Sequence, residues 1–418
     1  MKTHAVKILQ ISYYPIRQAV TGGQRRVANF RGMLGELGHH VTTVAISPHR
    51  LDVEAHDILL DARQNNWVFR IPSHFELRLA QAVSLSATMK SRIARIFDHV
   101  KPDLLWLEHP FLWKVLEPFV TPRAIPVVYS SHNVEWKMNR ELLAAKKICD
   151  PLEVYDIKLV EESLARRAAA IVCCSQTDAH YYRKLSTRRV SVIPNGADVP
   201  SVREADRAFY TVRFFCNDAF VAPTFCYVSS DHQPNWQGLA DLVLDSMVAR
   251  YPAKSVVILL IGRIGHLFRS WVADRSFPWW WLKIVPIMDA SEDVKNLSLL
   301  LSDAILLPIV SGGGTNLKTA EALLAGRRII ATSTAFRGFE DYMANGDVSI
   351  ADRPEDFRDA MDRVIDAPRH DRTSIYANNL MSLNRQPAFQ RIRDQVSWKA
   401  IRREAIPHLS QCLEALKS

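Results

Sequence analysis

The chain has 418 residues, of which 48% are hydrophobic and 23% are charged. This balance is typical of a soluble globular protein and excludes a disordered or fibrous chain, and the length suffices for two or three domains. No apolar run reaches the roughly 18 residues needed to span a bilayer, and the N-terminus runs straight into a strand, so we expect a cytoplasmic protein without a signal peptide.

The net charge of +9 is concentrated in one half of the chain. Residues 1–200 contain 27 Lys and Arg against 19 Asp and Glu, whereas the rest of the chain is almost balanced. Such an excess attracts an anionic partner, either a membrane surface or a phospholipid-linked acceptor, and a solvated face without a partner is the alternative. We expect no nucleic-acid partner, because the basic residues are dispersed and not interleaved with aromatic residues. The six cysteines lack metal-site spacing, which predicts reduced core thiols and no metal.

The chain opens with a strand, a glycine loop and a helix. Val6–Ser12 is a β-rich apolar run, and Gly22 and Gly23 lie in the loop that follows it. Apolar residues recur at helical spacing from Val27 to Leu37, and Val41–Ile46 predicts the next strand, which completes a βαβ unit. Ligands bind at the carboxyl ends of strands in doubly wound sheets, so both glycines are candidate site residues, although glycine turns are common there.

Two further strands end in histidine-containing segments. A long helix is predicted over Leu79–Val100, and the strand Leu104–Leu107 after it leads to His109. The strand Val127–Ser130 leads to His132. A polar group at the carboxyl end of a parallel strand faces the ligand crevice, and a histidine can donate a hydrogen bond near neutral pH. His132 is therefore the first candidate for a catalytic residue, whereas a structural role is favoured for His109.

A second half begins after an Asn-Gly turn. Val190–Asp198 predicts a strand that ends in this turn, and we place the domain boundary near Val199, with a polar linker into the 210s. The strand Thr224–Ser229 opens the second half. In Leu259–Gly265 two glycines follow another strand with Arg263 between them, which suits either close approach of a nucleotide or simple packing.

The most informative stretch follows the apolar strand Ala304–Leu307. It contains the candidate ligand-binding residues Gly312, Gly313, Gly314, Thr315, Asn316 and Leu317. Glycines let backbone N–H groups approach a ligand closely, and the N-terminus of the helix that follows favours phosphate. Lys318 can place a charge on a diphosphate, and Glu321 can accept hydrogen bonds from two adjacent hydroxyls, such as those of a ribose. The alternative is a glycine turn that leads into an ordinary core helix.

At these residues the chain resembles glycosyltransferase family 4, the large retaining group with the GT-B fold. Its signature helix carries Glu-x7-Glu, and many members read Gly-Gly-Thr-Arg-Leu-Lys-x-x-Glu-Ala. Glu321 matches the second glutamate, whereas Gly313 replaces the first and Asn316 replaces the usual arginine. The resemblance extends to Gly22-Gly23 with Arg26, to the Pro-Asn-Gly-x-Asp turn and to a Ser-Trp pair near the C-terminus.

The resemblance implies an α/β protein of GT-B architecture, with two doubly wound Rossmann-like domains that face a central cleft. It places an acceptor-side domain at 1–199, a nucleotide-sugar domain at 200–384, and helices that cross back to the first domain at 385–418. It also implies a retaining, metal-independent glycosyltransferase of the hexosyltransferase type, in which the leaving diphosphate helps to deprotonate the acceptor hydroxyl. His132, Lys318 and Glu321 are then the predicted catalytic residues, and Arg263 is a weaker diphosphate ligand.

The family also implies the two substrates: a nucleotide-diphosphate sugar as donor, with no other cofactor, and a glycan or lipid-linked acceptor. We expect a role in surface polysaccharide or glycoconjugate synthesis, with possible peripheral attachment to the inner face of the membrane. A non-catalytic GT-B scaffold that binds a nucleotide sugar or a glycan is the alternative, because Gly313 replaces a glutamate and the family's Arg and Lys pair after Thr224–Ser229 is missing. A GT-B epimerase or phosphorylase is weaker still.

Overall fold

The computed structural model describes residues 5–17, 19, 21–47, 58–59, 75–146, 150–186, 188–231, 233–248, 255–273, 281–311, 315–367 and 387–416. The chain divides into two compact units. The N-terminal unit consists of Met1–Asn195 together with Ile401–Ser418, and the C-terminal unit is Gly196–Ala400.

The N-terminal unit contains a seven-stranded parallel sheet. Its strands are β1 (Lys7–Ser12), β2 (His40–Ser47), β3 (Ile58–Leu59), β4 (Leu104–Glu108), β5 (Val127–Ser130), β6 (Ala170–Cys173) and β7 (Arg189–Val192). They lie in the order β3-β2-β1-β4-β5-β6-β7, and each neighbouring pair is parallel. The strand order therefore reverses between β1 and β4, and a doubly wound sheet binds its ligand at the carboxyl ends of such a pair.

Helices cover the sheet of the N-terminal unit. They are α1 (Gly22–Glu36), α2 (Phe75–Leu85), α3 (Ala87–Val100), α4 (Trp113–Val120), α5 (Glu135–Lys146), α6 (Pro151–Arg167) and α7 (Gln176–Leu185). The single long helix expected over Leu79–Val100 is wrong, because the chain leaves the helical conformation at Ser86. The Ser86 side chain accepts a hydrogen bond from the Met89 backbone and so caps the second helix.

The C-terminal unit contains a second parallel sheet with six strands. These are β8 (Thr224–Val228), β9 (Val256–Ile261), β10 (Leu282–Ile287), β11 (Ala304–Leu307), β12 (Arg328–Ala331) and β13 (Val348–Ile350). Their order is β10-β9-β8-β11-β12-β13, so the reversal lies between β8 and β11. Every residue of β9 and β11 is buried, as expected for central strands covered on both faces. The predicted pair of doubly wound parallel sheets is confirmed.

The helices of the second half differ from the prediction in one place. They are α8 (Ala205–Phe215), α9 (Gln233–Gly238), α10 (Asp245–Val248), α11 (Ile264–Ala273), α12 (Glu292–Leu301), α13 (Leu317–Ala325), α14 (Pro354–Asp366), α15 (Pro387–Val396) and α16 (Trp398–Ala415). A π-helical segment, Leu239–Leu244, joins α9 to α10. The polar linker into the 210s is instead a helix, because α8 buries Ala208 and Val212 on its inner face. Helix α16 continues through Pro407, a residue type that usually kinks or ends a helix.

The cysteines of the described ranges are all free and buried, at positions 173, 174, 216, 226 and 412, which confirms the expected core thiols there. Cys149 lies outside the described residues. Within the same ranges, no helix combines the length and the apolar character needed to cross a membrane.

Candidate active site

In the N-terminal unit, polar residues at the ends of β4 and β5 meet in the core. Glu108 is the last residue of β4 and His132 follows β5. A hydrogen bond of 3.0 Å joins His132 Nε2 to Glu108 Oε2, and both side chains are buried. The other carboxylate oxygen of Glu108 accepts hydrogen bonds from Gln10 Nε2 at 2.8 Å and Trp106 Nε1 at 2.9 Å. Glu108 is thus fixed by three partners, and it fixes the ring of His132 in turn.

A second histidine lies against the first. The rings of His109 and His132 pack with their centroids 3.8 Å apart. His109 Nε2 lies 3.1 Å from the Tyr14 hydroxyl, and His109 Nδ1 lies 3.0 Å from Glu135 Oε1. Its backbone has a φ of 61°, in the left-handed region that non-glycine residues rarely adopt. His109, for which a structural role was favoured, therefore contacts the candidate catalytic histidine directly and holds one face of its ring.

Burial decides the protonation of this cluster. It lowers the pKa of His109 to about 4, against the opposing effect of the Glu108 carboxylate, and it lowers the pKa of His132 well below its usual value. The charge of the Arg26 guanidinium lowers the pKa of both imidazoles further. Burial also raises the pKa of Glu108. Both imidazoles are consequently neutral at pH 7, and His132, whose Nε2 is bonded to Glu108, can hydrogen-bond a ligand through Nδ1.

The predicted residues Gly22 and Gly23 begin helix α1. Thr21 caps this helix in a capping box with Gln24. A Cβ atom on Gly23 would lie 2.3 Å from the Tyr14 hydroxyl oxygen, so only glycine allows this tyrosine to reach His109. Gly23 therefore serves the histidine cluster through Tyr14, in addition to any ligand that it contacts.

Arg26 lies one turn further along α1 and is fully buried. Its Nη1 donates to the backbone oxygen of Ile193 and to Asn195 Oδ1, both at 2.9 Å, and its guanidinium packs 4.6 Å from the centre of the Phe30 ring. Nε and Nη2 find no hydrogen-bond partner in the described part of the chain. The Asn195 of the predicted Asn-Gly turn thus anchors a buried cation next to the histidines.

In the C-terminal unit, the predicted phosphate-binding helix is α13. Gly312, Gly313 and Gly314 lie outside the described residues, whereas the segment from Thr315 onwards is described. Asn316 is the N-cap residue: its Oδ1 accepts a hydrogen bond from the Lys318 backbone at 3.3 Å, and its Nδ2 donates to the Ala335 oxygen at 3.2 Å. The departure from arginine at this position therefore has a local reason, since asparagine caps a helix and arginine does not.

Neighbouring residues fix the start of this helix. Leu317 is its first residue and is half-buried. Thr315 packs against Gly338, whose φ is 78°; a Cβ atom on Gly338 would lie 2.3 Å from Thr315 Cγ2. Gly338 is required both by its backbone conformation and by this close approach.

Lys318 and Glu321 lie one helical turn apart on α13. Lys318 is half-buried, with its Nζ 6.0 Å from the centre of the Tyr227 ring on β8, and burial lowers its pKa to about 8 against the effect of Glu321. Glu321 Oε1 accepts a hydrogen bond from Lys295 Nζ at 2.9 Å, and Lys295 also pairs with Glu292. The structure thus places Lys318 where the strand order of the sheet reverses, between β8 and β11, with Glu321 beside it.

Arg263 has a less suitable environment. It is 69% exposed, and its Nη2 donates to Asp231 Oδ2 at 2.7 Å. Gly262, just before it, has a φ of 97°, and a Cβ atom there would lie 2.6 Å from the Ser229 oxygen. The glycine allows a close backbone turn, whereas the arginine is neutralised at the surface.

Sequence reasoning missed three participants. The rule that selected His132 also selects Glu108, because Glu108 ends a buried parallel strand. Glu135 and Lys295 had no such signal, since their roles depend on contacts with His109 and Glu321 that only the folded chain creates. The described residues include no group of three or more His, Cys, Asp or Glu placed to hold a metal ion.

The profile of Glycosyltransferase Family 4 matches residues 20–200 of the chain. A search of curated protein sequences finds no significant match. Among solved structures, the chain is similar to sucrose-phosphate synthase from Thermosynechococcus elongatus, at 15% identity and a TM-score of 0.67, with 98% of this chain and 99% of that one covered.

Two other solved structures are similar over almost their whole length. HepE from Anabaena, in complex with UDP and glucose, is 14% identical with a TM-score of 0.59, over 97% of this chain and 100% of that one. A glycosyltransferase from Rickettsia africae is 15% identical with a TM-score of 0.63, over 98% and 99%. These likenesses confirm the predicted α/β, GT-B fold class. The family profile adds that residues 20–200, somewhat less than half of the chain, are similar to glycosyltransferase family 4.

Proposed function

We propose that the protein is a retaining glycosyltransferase that moves a sugar from a nucleotide-diphosphate sugar to a hydroxyl of a glycan or lipid-linked acceptor. The observation that carries the proposal is the state of Lys318. Its ammonium group is half-buried and has no hydrogen-bond partner among the described residues, and its pKa is lowered to about 8. A cation in this state gains from an anion beside it, and the N-terminus of α13 favours a phosphate at the same place.

The donor would bind with its diphosphate on Lys318 and its ribose on Glu321. A carboxylate can accept hydrogen bonds from two adjacent hydroxyls, and the link from Lys295 to Oε1 orients the Glu321 side chain. HepE, which shares the fold, was solved in complexes with UDP and with UDP-glucose, which supports a nucleotide-sugar donor for this chain.

The transfer needs only the donor and the acceptor as reactants. The acceptor hydroxyl oxygen forms a bond to the anomeric carbon while the bond from that carbon to the diphosphate oxygen breaks, and the hydroxyl proton passes to the departing diphosphate. Lys318 and the N-terminus of α13 would stabilise the charge that develops on the diphosphate, so we propose a metal-independent reaction. His132, neutral and locked to Glu108, would hydrogen-bond the sugar through Nδ1.

We further propose that the acceptor is met on the N-terminal unit, which carries most of the positive charge. This fits a lipid-linked intermediate of surface polysaccharide or glycoconjugate synthesis at the inner face of the membrane.

A non-catalytic scaffold is the second candidate. Asn316 favours this candidate. Because its amide caps α13, Asn316 has fewer hydrogen-bonding groups left for a sugar than the arginine that is usual at this position.

The test is calorimetric titration with UDP, GDP, ADP and TDP, on the wild type and on Lys318→Ala and Glu321→Ala. Arg353→Ala, an exposed cation of the same unit that pairs with Asp356, is the matched control. We expect one nucleotide to bind selectively, and both site variants but not the control to weaken its binding. Absence of binding at millimolar nucleotide would overturn the donor site. Binding without hydrolysis or transfer of any sugar derivative of that nucleotide would favour the scaffold.

A further inference from the structure

Helix α6 exposes a stripe of apolar side chains. Leu152 is 73% exposed, Tyr155 is 56% exposed and Leu159 is 43% exposed. Their spacing of three and four residues places them on one face of the helix. The opposite face packs into the core through Val154, Ile157, Val160 and Leu164. Single exposed leucines are ordinary, but three large apolar residues in line on one helix are typical of a binding surface.

Cations gather around a tryptophan on the adjoining helix α5. The Arg140 guanidinium carbon and Lys158 Nζ each lie 5.1 Å from the centre of the Trp136 ring, and Lys137 Nζ lies 5.9 Å from it. The Trp136 Nε1 donates to the Tyr181 hydroxyl at 2.8 Å, which holds the ring in place. Lys158 is itself part of α6, so this cation cluster adjoins the apolar stripe.

The positive charge of the cluster is largely uncompensated. Lys158 approaches Glu162 only to 3.9 Å, and Glu162 is shared with Arg166 at 3.3 Å. Lys137 and Arg140 form no ion pair with any described residue, although the charge of Lys137 lowers the pKa of the buried Asp178. Among the described residues, Glu162 is thus the only carboxylate within 4 Å of any of these three cations, and such a cluster attracts a surface with many negative charges.

We propose that Leu152, Tyr155 and Leu159, with Lys137, Arg140 and Lys158, form a docking surface for an anionic phospholipid bilayer. The apolar stripe would enter the boundary between headgroups and acyl chains, where a tyrosine is favoured because its ring is apolar and its hydroxyl is polar. The cations would contact lipid phosphates, with their aliphatic stems along Trp136. The proposal does not rest on catalysis, and it gives the N-terminal unit a means of reaching a lipid-linked acceptor.

Another exposed apolar face supplies the contrast. On helix α8 of the C-terminal unit, Tyr210 is 63% exposed and Phe214 is 85% exposed. Of the two arginines of that helix, Arg207 pairs with Glu204 at 3.2 Å, and Arg213 donates to Asn217 Oδ1 at 3.1 Å. The nearby Lys283 pairs with Asp218. Glu204 and Asp206 match Arg207 and Arg213 in number, so this helix has no net charge and lacks the complementarity to anionic lipid that the α5–α6 surface has.

The experiment is co-sedimentation of the full chain with vesicles of phosphatidylcholine alone or with about 30% phosphatidylglycerol. The first variant, Lys137→Gln/Arg140→Gln/Lys158→Gln, removes the cations. The second variant, Leu152→Ser/Tyr155→Ser/Leu159→Ser, removes the stripe. Tyr210→Ser/Phe214→Ser is the control, and the single Arg140→Glu variant serves if either triple variant fails to fold.

We expect the wild type to bind only the anionic vesicles, and less at high salt. Removal of the three cations should weaken binding on the order of 100-fold, and removal of the stripe about tenfold, with the control unchanged. Absence of wild-type binding, or equal binding by both triple variants and the wild type, would overturn the proposal. So would a stripe variant that changes only the oligomeric state, since the face would then join two copies of the chain. Nucleotide titration of the same variants separates this outcome from a failure of the proposed donor site.

Discussion

The Glu108–His132 pair of the N-terminal unit and the neighbouring Lys318 and Glu321 of the C-terminal unit differ in how completely the protein itself satisfies their polar atoms. In the N-terminal unit, Glu108 and His132 are buried and bonded to each other, and the Glu108 carboxylate accepts two further hydrogen bonds. In the C-terminal unit, Lys318 is half-buried with no hydrogen-bond partner among the described residues, and Glu321 is partly exposed. The first pair is held by its own contacts, whereas the second leaves a cation for a ligand to satisfy.

This difference separates effects on folding from effects on binding. Removing a member of a buried network leaves its partners without hydrogen bonds, which costs stability as well as activity. Removing a half-exposed cation costs little stability, because water replaces the lost contacts. Substitutions in the N-terminal cluster should therefore act mainly on the fold and those at α13 mainly on ligand affinity.

The largest effect is expected from Glu108→Ala. It leaves Trp106 Nε1 and His132 Nε2 buried without their hydrogen-bond partner, so we expect the free energy of unfolding to fall by about 3 kcal/mol or more. Urea unfolding followed by tryptophan fluorescence measures this free energy.

Glu321→Ala is the counterpart in the other unit. It should cost less than about 1 kcal/mol, because Lys295 keeps its pair with Glu292. Equal losses in the two variants would contradict the distinction between the sites.

Lys318→Ala tests the role of the unbonded cation in the C-terminal unit. Loss of a charged hydrogen bond of about 1.5–3 kcal/mol should weaken nucleotide-diphosphate binding roughly 10- to 150-fold, with little change in unfolding. The pKa near 8 adds a dependence on pH: above this value the amine loses its charge, so wild-type affinity should fall between pH 7 and 9. Lys318→Arg, which stays charged, should show a flat profile over that range. Titration calorimetry at several pH values checks both statements.

The same contrast explains how far the sequence could predict the molecule. Local signals sufficed for α13, because a strand, a glycine run and helical spacing lie within about 20 residues of one another, and for the strands that bring His132 to the sheet edge. They failed for His109, whose partners Tyr14 and Glu135 are far away in sequence. They also failed at Ser86, where a single polar side chain splits a continuous helical pattern. The position of a side chain in such a cluster depends on contacts between distant segments, and the spacing of apolar residues along the chain does not reveal these contacts.

The buried histidines predict how stability responds to acid. The folded-state pKa of His109, about 4, lies below its unfolded value of about 6.5, so the unfolded chain binds the proton more readily. The contribution of His109 to stability is complete above pH 6.5 and is lost as the pH falls from there towards 4. His109→Asn, which tolerates a positive φ, should reduce this loss. Urea unfolding of both proteins at pH 7 and pH 5 measures it, and an unchanged pH slope in the variant would count against a buried neutral His109.

The smallest effect is expected at Arg263, the exposed cation of the C-terminal unit. Because Asp231 already holds its guanidinium at 2.7 Å and both groups reach solvent, Arg263→Ala should change the free energy of unfolding by less than about 1 kcal/mol and nucleotide affinity by less than about threefold. Asp231→Ala is the sharper variant, since it releases the arginine: if Arg263 can reach a diphosphate at all, this substitution should raise nucleotide affinity. A tenfold loss in Arg263→Ala, measured by the same titration, would instead make Arg263 a phosphate ligand that exchanges Asp231 for the donor. The C-terminal unit would then bind its ligand with two cations, one of them taken from an existing ion pair, and Lys318 would no longer account for diphosphate binding alone.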